Sequence, residues 1–351
     1  MSNRHETYIR RCFDLALNGR GTTYPNPVVG AVLVHNGKII GEGWHRKSGE
    51  PHAEVMAVKN TLHKELLKEA TLYVNLEPCS FYGKTPACST MIIREKIPRV
   101  VISNIDPNDK VAGKGVAMLR QAGIDVTTGI LERDGRELNR FFFSMHERKR
   151  PYIILKWART SDGFMAPEEN KKYWITNDFS RQLVHKWRSE IQGILIGKNT
   201  LLADNPLLDS RLWNYNNPVP VVLSGSGLKG KFALVSRAER SIFLGPVKPD
   251  FPDEGLIYRQ ARDLEAVLEV LYEENIQSVL VEGGRRVLTA FIEAGLWDEA
   301  RIFTSPAVWG KGLKSPVLKD EIWLKTEMIG TDRLDYYYRR GNDYVYEGRY
   351  L

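Results

Sequence analysis

The chain has 351 residues, enough for two globular domains, and its three cysteines are too few for a disulfide framework. Its net charge of +7 suits an anionic ligand such as a phosphorylated metabolite, but the scattered basic residues argue against bulk nucleic-acid binding. It contains no run of 18 apolar residues and no signal-peptide core, so we expect a cytoplasmic protein with reduced thiols and no membrane association.

Helices and strands alternate along the first part of the chain. A helix is predicted over 6–20, and a hairpin that turns at Asn36-Gly37 is predicted over 28–45. Further helices are predicted over 52–68, 85–97, 113–122 and 132–146, and further strands over 70–79, 99–107 and 124–129. This alternation predicts an α/β domain with a parallel-type sheet.

The charged segment ERKRP at 147–151 predicts a domain boundary, which gives domains over 1–147 and 148–351. In the second domain, strands are predicted over 151–158, 193–197, 218–225, 241–245 and 278–284, and helices over 175–191, 263–276 and 287–296. The chain then continues in β-like runs, the last of them over 343–351. The pattern predicts a second α/β domain.

Four residues of the first domain predict a zinc-dependent deaminase site. His52 and Glu54 open a predicted helix, Cys79 follows a strand, and Cys88 heads the next helix. Two thiolates and one imidazole leave the fourth tetrahedral position of zinc to water, as in a catalytic site. Glu54 is predicted to take a proton from that water and to deliver it to the leaving ammonia. The residue order matches the signature of zinc nucleobase deaminases, and one zinc ion is expected per deaminase domain.

The cysteine spacing narrows the choice of substrate. Nucleic-acid deaminases usually place two residues between the cysteines, whereas eight separate Cys79 from Cys88. This EPCSFYGKTPAC segment, with TYPNPVVGAVLV and GWHRKSGEPHAE before it, resembles the deaminase half of the bifunctional riboflavin-biosynthesis deaminase/reductase family. The resemblance implies that Asn26 holds the pyrimidine and that His45 and Lys84 contact the phosphoribosyl part.

The resemblance continues in KWARTSDGFMA, YWIT, VHKWRSE, GILIGKNTLLADNPLLDSR and LVEGGRRV. It implies a cytidine-deaminase-like α/β/α domain followed by a dihydrofolate-reductase-like α/β domain that uses NADPH. Gly283-Gly284 ends a predicted strand before a helix, where backbone N–H groups can hold a phosphate. By resemblance, the cofactor-binding residues are Ala158, Trp174, Thr200, Asp204 and Gly284, and the substrate-binding residues are Arg188, Leu208, Arg211 and Glu282.

One lysine has two possible roles, and two other positions differ from the family. Lys156 is predicted either to polarise the sugar carbonyl or to pair with a carboxylate. The chain departs from the family at Phe81 and at Lys172, where histidine and serine are usual.

The family resemblance implies two successive reactions. The first is the zinc-dependent hydrolytic deamination of 2,5-diamino-6-hydroxy-4-(5-phosphoribosylamino)pyrimidine. The second is the NADPH-dependent reduction of the ribosyl chain of 5-amino-6-(5-phosphoribosylamino)uracil to ribityl. We therefore expect small phosphorylated pyrimidines as partners, no nucleic acid, and a homo-oligomer. Two alternatives stay open, namely a nucleotide or tRNA deaminase with an unrelated second domain, and a non-catalytic zinc scaffold or nucleic-acid-binding protein.

Overall fold

The computed structural model describes residues 2–80, 87–109, 111–168, 173–211, 213, 216–250 and 255–351. Contacts divide the chain into two compact units, Met1–Arg148 with Tyr344–Leu351, and Lys149–Asp343. The chain therefore leaves the first unit near residue 148 and rejoins it near residue 344. Within the described residues, no helix combines the length and the apolar character that a membrane span requires.

The first unit is built on a five-stranded sheet. Its strands are β1 (Gly30–His35), β2 (Lys38–Trp44), β3 (Thr71–Leu76), β4 (Arg99–Asn104) and β5 (Asp125–Thr127), in the spatial order β2-β1-β3-β4-β5. Its helices are α1 (Ser2–Leu17), α2 (Ala53–Asn60), α3 (Cys88–Arg94), α4 (Lys114–Gln121), α5 (Glu132–Leu138) and α6 (Arg140–Glu147), with a 3₁₀ helix at Lys64–Glu69.

The direction of the strands corrects one prediction. β3, β4 and β5 are parallel, but β1 is antiparallel to both β2 and β3, so the sheet is mixed. The two-residue turn at Asn36-Gly37 joins β1 to β2 as the predicted hairpin, which can only be antiparallel, and β1 then pairs antiparallel with β3 as well.

Alternate residues of the central strands face opposite helix layers, as the period of a strand requires. Leu33 and Leu72 belong to a core shared with α2, α3 and α4, whereas Val32 and Tyr73 belong to a core shared with α1. Cys12 of α1 is fully buried in the second core, as expected for an apolar helix face. The result is the predicted α/β/α layering.

Two long predicted helices are divided in the structure. The helix predicted over 52–68 ends at Asn60, because Thr61 is extended and its buried hydroxyl donates to the carbonyl of Ala57. The helix predicted over 132–146 is interrupted at Asn139, whose side chain hydrogen-bonds to the backbone of Val28. At the first break the side chain satisfies a carbonyl of the helix itself, whereas at the second Asn139 binds the backbone of a loop distant in sequence.

The segment 343–351 is not β-like, which corrects another prediction. None of its residues lies in a strand. Three of its backbone N–H groups donate to the carboxylate of Glu137 instead of to a neighbouring strand. A side chain distant in sequence thus replaces the hydrogen bonds of a ladder.

The second unit is built on a nine-stranded sheet in the order β11-β10-β9-β8-β12-β6-β13-β16-β15. These strands are β6 (Tyr152–Thr160), β8 (Gly193–Gly197), β9 (Val219–Leu223), β10 (Ser241–Leu244), β11 (Leu256–Arg259), β12 (Ser278–Val281), β13 (Glu299–Ser305), β15 (Glu321–Ile329) and β16 (Asp332–Arg339), while β7 (Phe164–Ala166) pairs with β14 (Leu313–Lys314). The helices are α7 (Asp178–Glu190), α8 (Lys198–Asp204), α9 (Ala233–Arg237), α10 (Leu264–Glu273) and α11 (Arg285–Glu293).

Strand direction in this sheet places the predicted reductase residues. The strands from β11 to β13 run parallel, and β16 is antiparallel to both of its neighbours. The carboxyl ends of β8, β12 and β6 therefore meet at one edge of the sheet, where open α/β sheets bind ligands. Thr200 follows β8 and Glu282 follows β12, so the fold brings predicted site residues to this edge.

Candidate zinc centre and reductase site

The three predicted zinc ligands lie together in the first unit. Nδ1 of His52 is 3.6 Å from Sγ of Cys79 and 3.3 Å from Sγ of Cys88, and the ligand atoms of all three lie within 4.8 Å of one another. Zinc bonds of about 2.0 Å to nitrogen and 2.3 Å to sulfur at a tetrahedral angle separate such atoms by roughly 3.5 Å. The donor set and its spacing fit a zinc ion with one position left for water.

Local hydrogen bonds position the two thiols. Cys88 is the first residue of α3, and its backbone N–H donates to Sγ of Cys79 at 3.3 Å. The backbone N–H and the hydroxyl of Ser89 both donate to the carbonyl of Cys79, at 3.1 and 2.9 Å. The start of α3 therefore holds the segment after β3 in place. Sequence reasoning did not single out Ser89, although its position directly after Cys88 was a usable signal.

The side chains of this centre shift one another's pKa values. A hydrogen bond to Cys79 raises the pKa of His52 to about 9, and a hydrogen bond from Cys88 lowers the pKa of Cys79 to about 4. Burial raises the pKa of Glu54, which is 3% exposed, to about 6. These shifts favour the thiolate of Cys79, which is the form of cysteine that binds zinc.

Asn26 and His45, both predicted substrate contacts, lie next to this centre. Nδ2 of Asn26 is 3.1 Å from Nε2 of His45, and Nδ1 of His45 is 3.2 Å from the carbonyl oxygen of Pro51. Burial lowers the pKa of His45, so the neutral ring donates through Nδ1 and accepts from Asn26 at Nε2. The rings of His45 and His52 are 5.4 Å apart.

Two further positions of the predicted deaminase site cannot be placed. Lys84, predicted to contact the phosphoribosyl part, and Phe81, where the family usually has histidine, lie outside the described residues. The prediction for Lys84 therefore rests on the resemblance alone.

Two buried asparagines that the sequence analysis missed hold the loop that carries Asn26. Asn75 accepts from the N–H of Gly30 at 2.7 Å and donates to the carbonyl of Val28 at 3.0 Å. Asn139 accepts from the N–H of Val28 at 2.9 Å and donates to the same carbonyl at 3.0 Å. A usable signal was Asn75 itself, since a buried amide within an apolar strand needs partners.

Glu77 is a third buried polar residue that the sequence analysis missed. It lies two positions before Cys79, and its carboxylate accepts the backbone N–H groups of Asp106, Gly113 and Val116 at 3.2, 2.9 and 3.0 Å. Glu77 therefore ties the segment between β3 and the zinc ligand Cys79 to the start of α4.

In the second unit, Arg188 and Glu282 face one another in a partly buried ion pair. Nε and Nη2 of Arg188 lie 2.9 Å from the two carboxylate oxygens of Glu282, and Nζ of Lys156 lies 3.7 Å from one of them. Burial alone would raise the pKa of Glu282, but the charges of Arg188 and Lys156 outweigh it and lower that pKa to about 2. Lys156 thus pairs with a carboxylate, one of its two predicted roles.

Asp209 links this pair to two other predicted substrate residues. Its carbonyl accepts from Nη1 of Arg188 at 3.3 Å, and its carboxylate lies 3.4 Å from Nε of the exposed Arg211. Leu208 precedes it with a side chain that packs in the core and a φ of 54°. Only the main chain of Leu208 is therefore available to a ligand, while Arg211 offers its guanidinium.

Thr200 and Gly284, predicted to bind the cofactor, are in contact. Gly284 caps the start of α11, and its N–H donates to Oγ1 of Thr200 at 3.0 Å. At Gly283 an added Cβ would lie 2.8 Å from the backbone nitrogen of Gly197, so the ends of β8 and β12 approach closely. Backbone N–H groups at a helix start and a narrow glycine-lined approach suit a cofactor phosphate.

The other predicted cofactor residues are spread along the same unit. Ala158 lies in β6, beside β12, and Asp204 is exposed at the end of α8. Trp174 is 58% exposed, with the guanidinium of Arg181 5.1 Å from its ring centre. The structure leaves the side chains of Asp204 and Trp174 at the surface. Lys172, where the family usually has serine, is not among the residues that the structure describes.

Comparison with known proteins agrees with this geometry. Residues 2–104 match the family described as the cytidine and deoxycytidylate deaminase zinc-binding region, and residues 151–336 match the family described as the RibD C-terminal domain. The fold and the zinc centre therefore define a zinc-dependent deaminase joined to a reductase domain. The predicted α/β fold class, with a cytidine-deaminase-like first domain, is confirmed.

Individual relatives identify the family. The riboflavin biosynthesis protein RibD of Aquifex aeolicus (strain VF5) is 40% identical over 317 residues, which cover 88% of each chain. The solved structure of Acinetobacter baumannii RibD is 31% identical with a TM-score of 0.89, covering 96% of this chain and 99% of that one. A Thermotoga maritima diaminohydroxyphosphoribosylaminopyrimidine deaminase/5-amino-6-(5-phosphoribosylamino)uracil reductase is 36% identical with a TM-score of 0.87, at the same coverage. The chain belongs to the RibD family of riboflavin biosynthesis proteins.

Membership of this family settles the class of activity. The chain is a bifunctional deaminase and reductase of riboflavin biosynthesis, and its cofactors are zinc and NADPH. A nucleotide or tRNA deaminase with an unrelated second domain is not supported, because residues 151–336 match the reductase domain of the same family. A non-catalytic zinc scaffold is not supported for the same reason.

Proposed function

We propose that the domain predicted over residues 1–147 deaminates 2,5-diamino-6-hydroxy-4-(5-phosphoribosylamino)pyrimidine and that the reductase domain, within residues 148–351, reduces the product. The observation that carries the proposal is the cluster of His52, Cys79 and Cys88 with Asn26 and His45 beside it. The Thermotoga relative, which is named for both reactions, supports the choice of substrate.

The deaminase step assigns one task to each group. His52, Cys79 and Cys88 would hold the zinc ion, which when bound lowers the pKa of a water ligand and makes hydroxide available near neutral pH. Buried Glu54 accepts a proton from the attacking water and passes it to the leaving amine. The bond between the ring carbon and its amino group breaks as a C–O bond forms, and ammonia leaves. Asn26, oriented by His45, binds the pyrimidine ring.

In this arrangement both ring nitrogens of His45 already have partners, so His45 acts on the substrate through Asn26. The predicted contact of His45 with the phosphoribosyl part stays a prediction. So does the corresponding contact of Lys84.

In the reductase step the protein mainly has to position NADPH and the substrate, and it needs little acid–base chemistry of its own. NADPH, when bound, supplies the hydride that converts the ribosyl chain to ribityl. Thr200 and Gly284 would hold a cofactor phosphate at the start of α11, with Ala158, Trp174 and Asp204 as further contacts. Arg211 would bind the substrate phosphate, since its guanidinium is exposed. The adjoining wall of the substrate site would be formed by Arg188, Glu282 and the main chain of Leu208.

We further propose that the partners are small molecules and not nucleic acids. Tyr336, in the aromatic run before two arginines, is 3% exposed and so cannot stack on bases. The wide cysteine spacing also differs from that of nucleic-acid deaminases. A cytoplasmic location is proposed because the Cys79 and Cys88 thiolates need a reducing compartment.

We also propose that the protein is a homo-oligomer. The strand β15 lies at the edge of the nine-stranded sheet. It carries Trp323 and Met328, which are 59% and 64% exposed. An edge strand with exposed apolar side chains favours pairing with another chain.

A substrate panel tests the proposed function. Ammonia release is measured with the diaminopyrimidine phosphate, cytidine, dCMP and tRNA, and NADPH oxidation is measured with the deaminated product. We expect release from the pyrimidine phosphate alone and oxidation only when its deaminated product is present. Turnover of cytidine, dCMP or tRNA without turnover of the pyrimidine phosphate, or NADPH oxidation without a pyrimidine, would contradict the proposal.

A further inference from the structure

Residues Tyr344–Leu351, named the strap here, dock within the first unit through a buried carboxylate. Glu137 is 1% exposed, and its two oxygens accept the backbone N–H groups of Tyr346, Glu347 and Tyr350, each at 3.0 Å. A buried carboxylate is costly unless it is fully hydrogen-bonded. Glu137 and the strap therefore depend on one another.

The far part of the strap has a second anchor. The carbonyl oxygen of Tyr350 accepts from Nη2 of Arg20 at 2.7 Å and from Nη1 of Arg140 at 3.1 Å. The ring of Tyr350 packs edge-on against Phe13, with centroids 5.8 Å apart, and the residue is 7% exposed. Charge-assisted hydrogen bonds and an apolar contact thus fix the same residue.

The anchors of the strap lie next in sequence to a support of the loop between α1 and β1, which carries Asn26. Asn139, which holds both backbone groups of Val28, lies between the strap-binding residues Glu137 and Arg140. Val28 follows Asn26 by two positions. On the other side of that loop, Arg20 precedes Asn26 by six positions and donates to the strap. The strap is therefore linked to one side of the loop directly by Arg20, and to the other through Asn139, whose chain neighbours Glu137 and Arg140 bind the strap.

We propose that the strap is a positioning element of the deaminase site. By fixing the junction of α5 and α6 and the side chain of Arg20, it holds the loop so that Asn26 meets the pyrimidine. The inference rests on the proposed role of Asn26 in substrate binding. It implies that deamination depends on residues that follow the reductase region in sequence, and that a fragment ending at residue 147 binds its substrate poorly.

Deletion of residues 344–351 from the otherwise full chain tests this inference. We expect the KM for deamination to rise about tenfold or more while kcat changes less than about threefold. Zinc content and NADPH-dependent reduction should stay at wild-type levels. Addition of the peptide YVYEGRYL in excess should restore the KM. Glu137→Ala should raise the KM in the same way, whereas Glu132→Ala, an exposed control on the same helix, should leave it unchanged.

The outcomes separate positioning from a merely structural role. An unchanged KM in both the deletion and Glu137→Ala would overturn the inference, as would loss of zinc and kcat together with KM. In an Asn26→Ala background the deletion should add no further rise in KM, because both changes act on the same contact. If Asn26→Ala alone leaves the KM unchanged, the proposed role of Asn26 fails. If Asn26→Ala raises the KM but the deletion of residues 344–351 leaves it unchanged, the proposed role of the strap fails.

Discussion

Arg188 and Glu282 form a two-point ion pair in the reductase unit, with both guanidinium–carboxylate distances at 2.9 Å. The sequence predicts each of them as a substrate contact, and the structure shows that they hold one another. Lys156 completes the cluster at 3.7 Å from the same carboxylate. One carboxylate therefore balances two partly buried cations, and this charge balance gives the first prediction.

Glu282→Gln should destabilise residues 149–343 by about 2–4 kcal/mol, because it leaves two partly buried cations without their charged partner. All of the tryptophans except Trp44 lie in that range, so tryptophan fluorescence during denaturation reports its unfolding. Reduction should be lost and deamination kept. The control Glu293→Gln, on the exposed face of α11, should stay within about 0.5 kcal/mol of wild type. An equally stable Glu282→Gln variant would show that the pair is not structural.

Removal of zinc should abolish ammonia release and leave NADPH-dependent reduction intact. It should also change thiol reactivity, because Cys79 is partly exposed while Cys12 and Cys88 are buried. With a thiol reagent, we expect no rapid labelling of the zinc-loaded protein and rapid labelling of Cys79 after chelation. Peptide mapping identifies the labelled residue. Rapid labelling of Cys79 in the zinc-loaded protein would argue against its role as a ligand.

Gly283→Ala should impair the reductase because its new Cβ would lie 2.8 Å from the nitrogen of Gly197 and 3.0 Å from Cα of Ile196. Separating these strand ends should cost about 1–3 kcal/mol and raise the KM for NADPH. Gly225→Ala is the matched control, since a Cβ added there would have no described atom within 4 Å. Initial rates at varied NADPH measure the effect. Equal KM values for the two variants would disprove the close approach.

Asn26→Ala should raise the KM for deamination about tenfold, since one hydrogen-bonding contact is removed, with zinc content unchanged. Asn60→Ala removes an amide at the surface end of α2 and should have no effect. Steady-state ammonia release at varied substrate separates KM from kcat. A change in kcat alone would place Asn26 in the chemical step rather than in binding.

The zinc centre could be predicted from the sequence because its residues lie at the ends of predicted elements. His52 caps a helix and Cys88 begins one, so local patterns were sufficient to find them. The supports of the centre were missed because they depend on contacts between distant residues. The side chain of Asn139 hydrogen-bonds to the backbone of Val28, and that of Glu137 to the backbone of Tyr350. Neither pairing leaves a periodic signal in the sequence.

Local sequence patterns also predicted the fold class but not every strand pairing. Alternating helices and strands indicated α/β units and the Asn36-Gly37 turn predicted the hairpin of β1 and β2, but nothing in the sequence showed that β1 also pairs antiparallel with β3. The segment 343–351 has the aromatic and β-branched residues of a strand. Three of its backbone N–H groups donate to the side chain of Glu137 rather than to a neighbouring strand, and no propensity describes such a partner.

The most direct test of the two-site account is the Glu54→Gln variant of the full chain. Ammonia release and reduction of chemically supplied deaminated product are measured separately, together with zinc content. The account predicts that ammonia release falls by about 10²–10⁴-fold, because an amide side chain cannot carry the proton, while zinc binding and reduction equal those of wild type. Wild-type ammonia release, or loss of reduction along with deamination, would contradict it.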